Sequence, residues 1–272
     1  MVSDKSREIY VMSDIEGRID EFIGHFINIV ENNGRNYKIY VLGNAIGRGT
    51  HSLQLLEYIR GHRNIELIAG ENEYCFMQAF KNEYIIDAIT HSSPDNALDK
   101  IRKIYSRDKT IINTRELKCL ARLIENCGED MLIRTHSMSK DYIRDIVKYI
   151  KGLNYEQHVI VGNTEYCLVH FIPFKNVRDF REKHNLKVGY SDIHQSMVSG
   201  NLPIPIEVPG EVVVFGHICT AATNNITPYT VFKGDNVIGV DCGCRLANEN
   251  SRLACMRLSD RMVRYEPVRD MI

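Results

Sequence analysis

EIYVMSDIEGR, residues 8–18, decides the reading of this chain: a short apolar run gives way at once to an acidic loop containing glycine. Residues 8–13 read as a short buried strand. The helix that follows carries Ile19, Phe22, Ile23, Phe26, Ile27 and Val30 on one face, until Asn33 and Gly34 stop it. Residues 38–42 form the next strand. A helix with Leu53, Leu55, Leu56 and Ile59 comes after it and ends at Gly61, and residues 65–69 form a third strand. Strands alternating with helices imply a parallel sheet with helices packed outside it. In such sheets the working residues collect on loops beyond the carboxyl ends of the strands. Here those loops are residues 13–18, 43–49 and 70–74, all rich in Asp, Asn, Glu and Gly.

From about residue 74 to 152 the texture is helical. Leu117, Leu120, Ala121 and Ile124 keep helical spacing, as do Ile143, Ile146, Val147 and Ile150, with Gly128 and Gly152 as stops. Beyond it, HVIVGNTEYCLVHF (residues 158–171) predicts a hairpin turned at Gly162 and Asn163. Residues 212–215, 229–232, 237–240, 253–258 and 262–265 follow as short strands. Residues 200–209, with three prolines, read as a surface connection.

Composition bounds the function. Thirty-four basic against thirty-five acidic side chains give a formal net charge of -1, so bulk electrostatics favour neither nucleic acid nor an anionic membrane as partner. The start lacks a charged-then-apolar signal pattern and no run of eighteen apolar residues occurs, so a cytoplasmic location is expected. The eight cysteines show no Cys-x-x-Cys spacing for a structural zinc and read as buried free thiols.

Five blocks in order carry a resemblance: SDIEGR (13–18), GNAIGRG (43–49), GENEY (70–74), LVHFIP (168–173) and FGHICT (215–220), with VIGVDCGC and LACMRLSD closing the chain. They resemble the Gly-Asp-x-His-Gly, Gly-Asp-x-x-Asp-Arg-Gly, Gly-Asn-His-Glu, Val-His and Gly-His-Thr blocks of the calcineurin-like metallophosphoesterases. The likeness is strongest to the bacterial branch of the PPP-type serine/threonine protein phosphatases. The resemblance implies an α/β fold, a four-layer α-β-β-α sandwich, as a single domain over residues 1–272 with a helical insertion or cap at about 75–152. It also implies two divalent metal ions that clamp a phosphate and activate water for in-line attack, with an Asp-oriented His protonating the leaving oxygen.

Carried over position by position, the resemblance implies metal ligation by Asp14, Glu16, Asn44, Glu71, His170 and His217, and catalytic roles for Arg48 and Asn72. Asp14, His170, His217 and Arg48 match the family, and Arg48 suits bidentate phosphate contact. Asn44 stands where a bridging aspartate is usual, and a carboxamide brings no charge to offset two dications. Glu16 replaces a histidine and Glu71 an asparagine. Glu71, His170 and His217 form a two-histidine, one-carboxylate set sufficient for one transition metal, leaving Asp14 and Glu16 for a weaker second ion and Cys219 as a possible extra ligand. The ions implied are Mn, Fe or Zn, with Mg as a further option. Asn72 replaces the general acid and Gly47 its orienting aspartate, a loss worth on the order of a hundred- to ten-thousand-fold in rate, least for activated esters.

Plainer readings stand beside these. The histidines could be hydrogen-bonded structural residues, Asp14 and Glu16 could cap the next helix, and Arg48 could pair with a surface carboxylate. Glu73 and Asp241 could serve only to fix loops. Two functions are therefore expected as alternatives. One is a metal-dependent phosphoesterase of altered or weakened activity, acting on a phosphorylated protein or a small phosphate ester. The other is an inactive pseudophosphatase that binds phosphorylated partners or regulates another protein.

Overall fold

The structure, a computed structural model, describes residues 7–128, 130–199, 203–224 and 226–269. Residues 200–202 of the proline-containing connection lie outside the described residues. The elements run β1 (Glu8–Met12), α1 (Ile19–Asn33), β2 (Tyr37–Leu42), α2 (Ser52–Gly61), β3 (Ile65–Ile68), α3 (Glu71–Phe80), α4 (Glu83–Thr90), α5 (Pro94–Arg107), α6 (Thr114–Cys127), α7 (Asp130–His136) and α8 (Lys140–Lys151). They continue β4 (Glu156–Val161), β5 (Thr164–Val169), α9 (Phe174–Lys183), α10 (Tyr190–Ser199), β6 (Val212–Phe215), α11 (Ala221–Asn224), β7 (Phe232–Lys233), β8 (Val237–Gly239), β9 (Arg252–Arg257) and β10 (Val263–Pro267). The chain divides into two compact units, residues 1–71 with 154–272, and residues 72–153.

The first unit holds two five-stranded sheets, in the orders β10-β9-β1-β2-β3 and β4-β5-β6-β8-β7. β1, β2 and β3 pair in parallel, as do β5, β6 and β8, whereas β9, β10, β4 and β7 join antiparallel. One buried cluster draws on both sheets: Ile9, Val11, Tyr40, Leu42, Ala254 and Met256 from the first, and Val159, Leu168, Val214 and Ile238 from the second. Burying each such aliphatic side chain contributes roughly 1.5–3 kcal/mol. This is the α/β arrangement of paired sheets flanked by helices, and it brings the carboxyl ends of β1, β2, β3, β5 and β6 into the loops that carry the acidic and histidine residues.

Three details differ from the sequence reading, and one is that α3 begins at Glu71, inside the loop expected over residues 70–74. On α1 the buried stripe is Glu21, Phe22, His25 and Ile29, and Ile27 is half exposed. The helix turns this way because His25 Nε2 meets the carbonyl of Leu253 at 3.0 Å and Glu21 accepts the Arg269 N–H at 2.9 Å, which satisfies both polar groups. The strand expected over residues 229–232 shrinks to β7. The Tyr229 N–H donates to the Asn250 carbonyl and the Val231 N–H to the Tyr265 hydroxyl. Those backbone groups are therefore taken by loop and side-chain partners and are lost to a ladder.

The second unit is helical. α4 packs its Ile85, Ile86, Ala88 and Ile89 face, in contact with α5, α7 and α8. Starts and stops are local: Asn113 and Glu116 close a capping box on α6, Asn82 caps α4, Ser139 caps α8, and Gly128 ends α6.

Candidate metal centre

The first two loops extend the β1–β2 pairing past the strands. The Asp14 N–H donates to the Gly43 carbonyl at 3.0 Å, Glu16 to Asn44 at 2.8 Å and Gly17 to Ala45 at 2.8 Å. This pairing holds an unusual backbone. Asp14, Glu16, Asn44 and His217 all have left-handed dihedrals, with φ of 50°, 58°, 51° and 63°. Asp, Asn and His are enriched in that region, whereas Glu there costs about 1–3 kcal/mol, and such strain concentrates at functional sites.

Asp14 is the knot of the site. Its Oδ1 accepts from Asn44 Nδ2 at 2.9 Å, its Oδ2 accepts from the His217 N–H at 2.8 Å, and the Ser13 hydroxyl also donates to Oδ2. These bonds exclude the helix-capping reading, and the start of α1 carries no side-chain cap. Glu16 approaches Gly47 so closely that a Cβ there would lie 1.9 Å from its Oε2, and the Arg48 N–H reaches the same oxygen at 3.3 Å. Burial, then the negative charge of Asp14, pushes both Glu16 and Asp241 well above the usual carboxylate range, with Arg245 opposing. Three buried carboxylates thus share one region, with the Arg245 charge opposing the shifts of Glu16 and Asp241.

His170 directly follows β5 and is fully buried. Its Nδ1 lies 2.8 Å from the Leu42 carbonyl. A carbonyl can only accept, so Nδ1 carries the proton and Nε2 presents a lone pair. That Nε2 is buried without a hydrogen-bond partner. Burial lowers the His170 pKa to about 4, so the imidazole is neutral. The His217 ring lies 5.1 Å from it, centroid to centroid. Gly43 lets these parts meet, since a Cβ there would come within 2.5 Å of His170 Nδ1 and 2.6 Å of the Gly70 Cα.

Asp14, Glu16, Asn44, His170 and His217 are therefore brought together. Glu71, buried, follows Gly70 directly at the start of α3. Arg48 is exposed beside Glu16. Asn72 falls in the helical unit, where its Oδ1 accepts from Asn126 Nδ2 at 2.8 Å. Cys219 is half-buried, and burial followed by Asp241 raises its thiol to about 11. Arg245 escaped the sequence reading although it follows the VDCGC string directly. Its long-range effect on Glu16 and Asp241 has no spacing signature.

The residues present fit a divalent cation. A buried imidazole nitrogen with a free lone pair, a second imidazole and several desolvated carboxylates are what a hard or borderline dication satisfies. Among the described residues, three-donor groups with all ligand atoms within 4.8 Å of one another occur instead on the β4–β5 hairpin and at Glu211, so the loop donors are less tightly drawn together.

No family model matches the chain. It is 21% identical over 285 residues to the symmetrical bis(5'-nucleosyl)-tetraphosphatase of Citrobacter koseri, covering 95% of this chain and 94% of that protein. It is also 25% identical over 138 residues to the zinc-dependent endopolyphosphatase of Saccharomyces cerevisiae, covering 47% of this chain but only 42% of the relative. Among solved structures, that of a proposed diadenosine tetraphosphatase covers 98% of this chain at a TM-score of 0.56 and 12% identity, a likeness of fold. Fold and relatives together indicate the calcineurin-like metallophosphoesterase superfamily.

Proposed function

We propose that this chain is a metal-dependent phosphoesterase whose substrate is a small phosphoanhydride, such as a dinucleoside polyphosphate or a polyphosphate chain. His170 carries the reading: its unpartnered, buried Nε2 lone pair lies beside His217 and the Asp14 knot, a costly arrangement without a cation to receive it. Asp14, Glu71, His170 and His217 would hold the cation, with Glu16, Asn44 and Cys219 at its margin. When bound, such an ion supplies Lewis-acid polarisation of a phosphoryl oxygen and acidifies water. Arg48, exposed on its loop, carries the guanidinium that would take phosphate oxygens bidentately.

The leaving group argues for an anhydride. With Asn72 and Gly47 in place of a proton-transfer pair, no side chain of that pair protonates the departing oxygen. A nucleoside phosphate leaves readily as a stable anion, whereas a serine alkoxide needs that proton, so the penalty falls on phosphoproteins. Both curated relatives act, by name, on polyphosphate or nucleotide tetraphosphate chemistry. We further take residues 1–272 as one phosphoesterase domain, with the helices of about 75–152 as its insertion.

The test is turnover with added Mn, Zn or Mg of diadenosine tetraphosphate, inorganic polyphosphate, an aryl phosphate and a phosphoserine peptide. The anhydrides are expected to be cleaved and the peptide spared. Cleavage of the peptide with inert anhydrides overturns the reading. A second reading, binding without turnover, is favoured by the bond from Asn44 Nδ2 to Asp14 Oδ1, which turns an amide donor toward a carboxylate expected to face the ion. Calorimetric binding of the anhydride with no product formed would establish it.

A further inference from the structure

The second sheet carries a cluster that the loops do not use. Val159 of β4 and Tyr166 and Leu168 of β5 face the core between the sheets. Alternation turns Glu156, His158, Glu165 and Cys167 to the opposite face. His158 and Cys167 are direct cross-strand partners, and Tyr166 pairs with Val212, which brings Glu211 alongside Glu165. The ligand atoms of Glu156, His158 and Cys167 all lie within 4.8 Å of one another, and so do those of His158, Glu165 and Glu211.

We propose that Glu156, His158 and Cys167 form a second cation site of the class filled by zinc, which fastens edge strand β4 to β5 and to the start of α9. Metal–ligand bonds of about 2.0–2.3 Å place tetrahedral donor atoms roughly 3.3–3.8 Å apart, so the observed spacing closes with about 1 Å of side-chain adjustment. Imidazole, thiolate and carboxylate form a zinc donor set, and three protein ligands leave a fourth position for water.

The surroundings are arranged as supports for such a set. Glu156 presents Oε1 to His158 Nε2 at 3.1 Å, while its Oε2 accepts the Phe174 N–H at 2.6 Å, which fixes the carboxylate against α9. Glu211 Oε2 lies 2.8 Å from the other imidazole nitrogen, Nδ1. That contact is out of hydrogen-bond alignment, and the oxygen is shut off from solvent without a hydrogen bond. A carboxylate behind the non-ligating nitrogen is the usual orienting partner of a zinc-bound histidine.

The experiment is equilibrium dialysis of the full chain against zinc with elemental analysis, followed by cobalt substitution. His158→Gln and Cys167→Ser are each expected to bind one equivalent less than the wild type. The near-ultraviolet thiolate-to-cobalt band is expected to persist in Cys219→Ser and vanish in Cys167→Ser, which separates this site from the loop donors. Because Cys167 is fully buried, its variant can fail to fold; His158 has a side chain 37% exposed, so His158→Gln, checked by circular dichroism, decides alone. Unchanged zinc in folded His158→Gln, or a cobalt band that survives Cys167→Ser, overturns the proposal.

Discussion

Replacing Asn44 with Asp puts a fourth carboxylate beside Asp14, Glu16 and Asp241. The bond from Asn44 Nδ2 to Asp14 Oδ1 at 2.9 Å becomes a repulsive oxygen pair. Stripped of cations by a chelator, Asn44→Asp is expected to lose about 1–3 kcal/mol of stability, the cost of an unmade buried bond. Added Mn or Zn should return most of it, since a carboxylate receives a dication better than an amide does. Thermal melts with chelator and with metal check this, and equal melts under chelation would show that the amide does no such work. His170→Phe asks the complementary question. Its Nε2 has no partner to lose, so in chelator the change should cost only the Leu42 contact, about 1–2 kcal/mol. Cation affinity at the loops, measured by titration calorimetry, should fall more than about 100-fold, beyond the usual effect of losing an outer-shell partner.

Loops and helices act as units as well. Glu16 occupies the space above Gly47, so the two positions are sterically coupled. Gly47→Ala should destabilise by about 1–3 kcal/mol through overpacking; a Glu16→Ala background removes the carboxylate part of the clash and leaves the 2.5 Å approach to the Glu16 Cα, so a double-mutant cycle by urea melts should detect a partial non-additivity. The same contact explains why an aspartate is absent at position 47: Glu16 leaves it no room. On α1, burial depresses the pKa of His25 below its ordinary value. The folded state resists protonation there, so the stability His25 contributes is present above pH of about 6.5 and lost as the pH falls below it. Urea midpoints across that range should show the acid loss shrinking in His25→Gln. Much of the element level was legible: apolar runs marked β1, β2, β3 and β6, and Gly162 with Asn163 marked the hairpin. Gly128 and Gly152 marked the ends of α6 and α8. The rotated face of α1 and the shortened β7 were not legible, because His25, Tyr229 and Val231 are decided by partners distant in the chain. At the site, residue types and loop order pointed to Asp14, His170 and His217. The left-handed backbone of Glu16 and His217 and the field of Arg245 leave no trace in spacing.

At the scale of the whole molecule, β1 is the hinge of the topology. It pairs in parallel with β2 on one side, and on the other its Tyr10 and Val11 sit opposite Arg257 and Met256 of β9. The strand whose end bears Asp14 is thus flanked by one neighbour made almost immediately and one made some 240 residues later in the chain. Closing so long a loop is slow, and unpaired strand edges invite association in the meantime. Pulse-labelled hydrogen exchange during refolding should therefore find the amides of β9 becoming protected late, after those that pair β1 with β2; protection of β9 as early as β2 would refute it. During synthesis the ribosome would carry β1 without its β9 neighbour until some 240 further residues had been added, which makes this a nascent chain suited to capture by a chaperone.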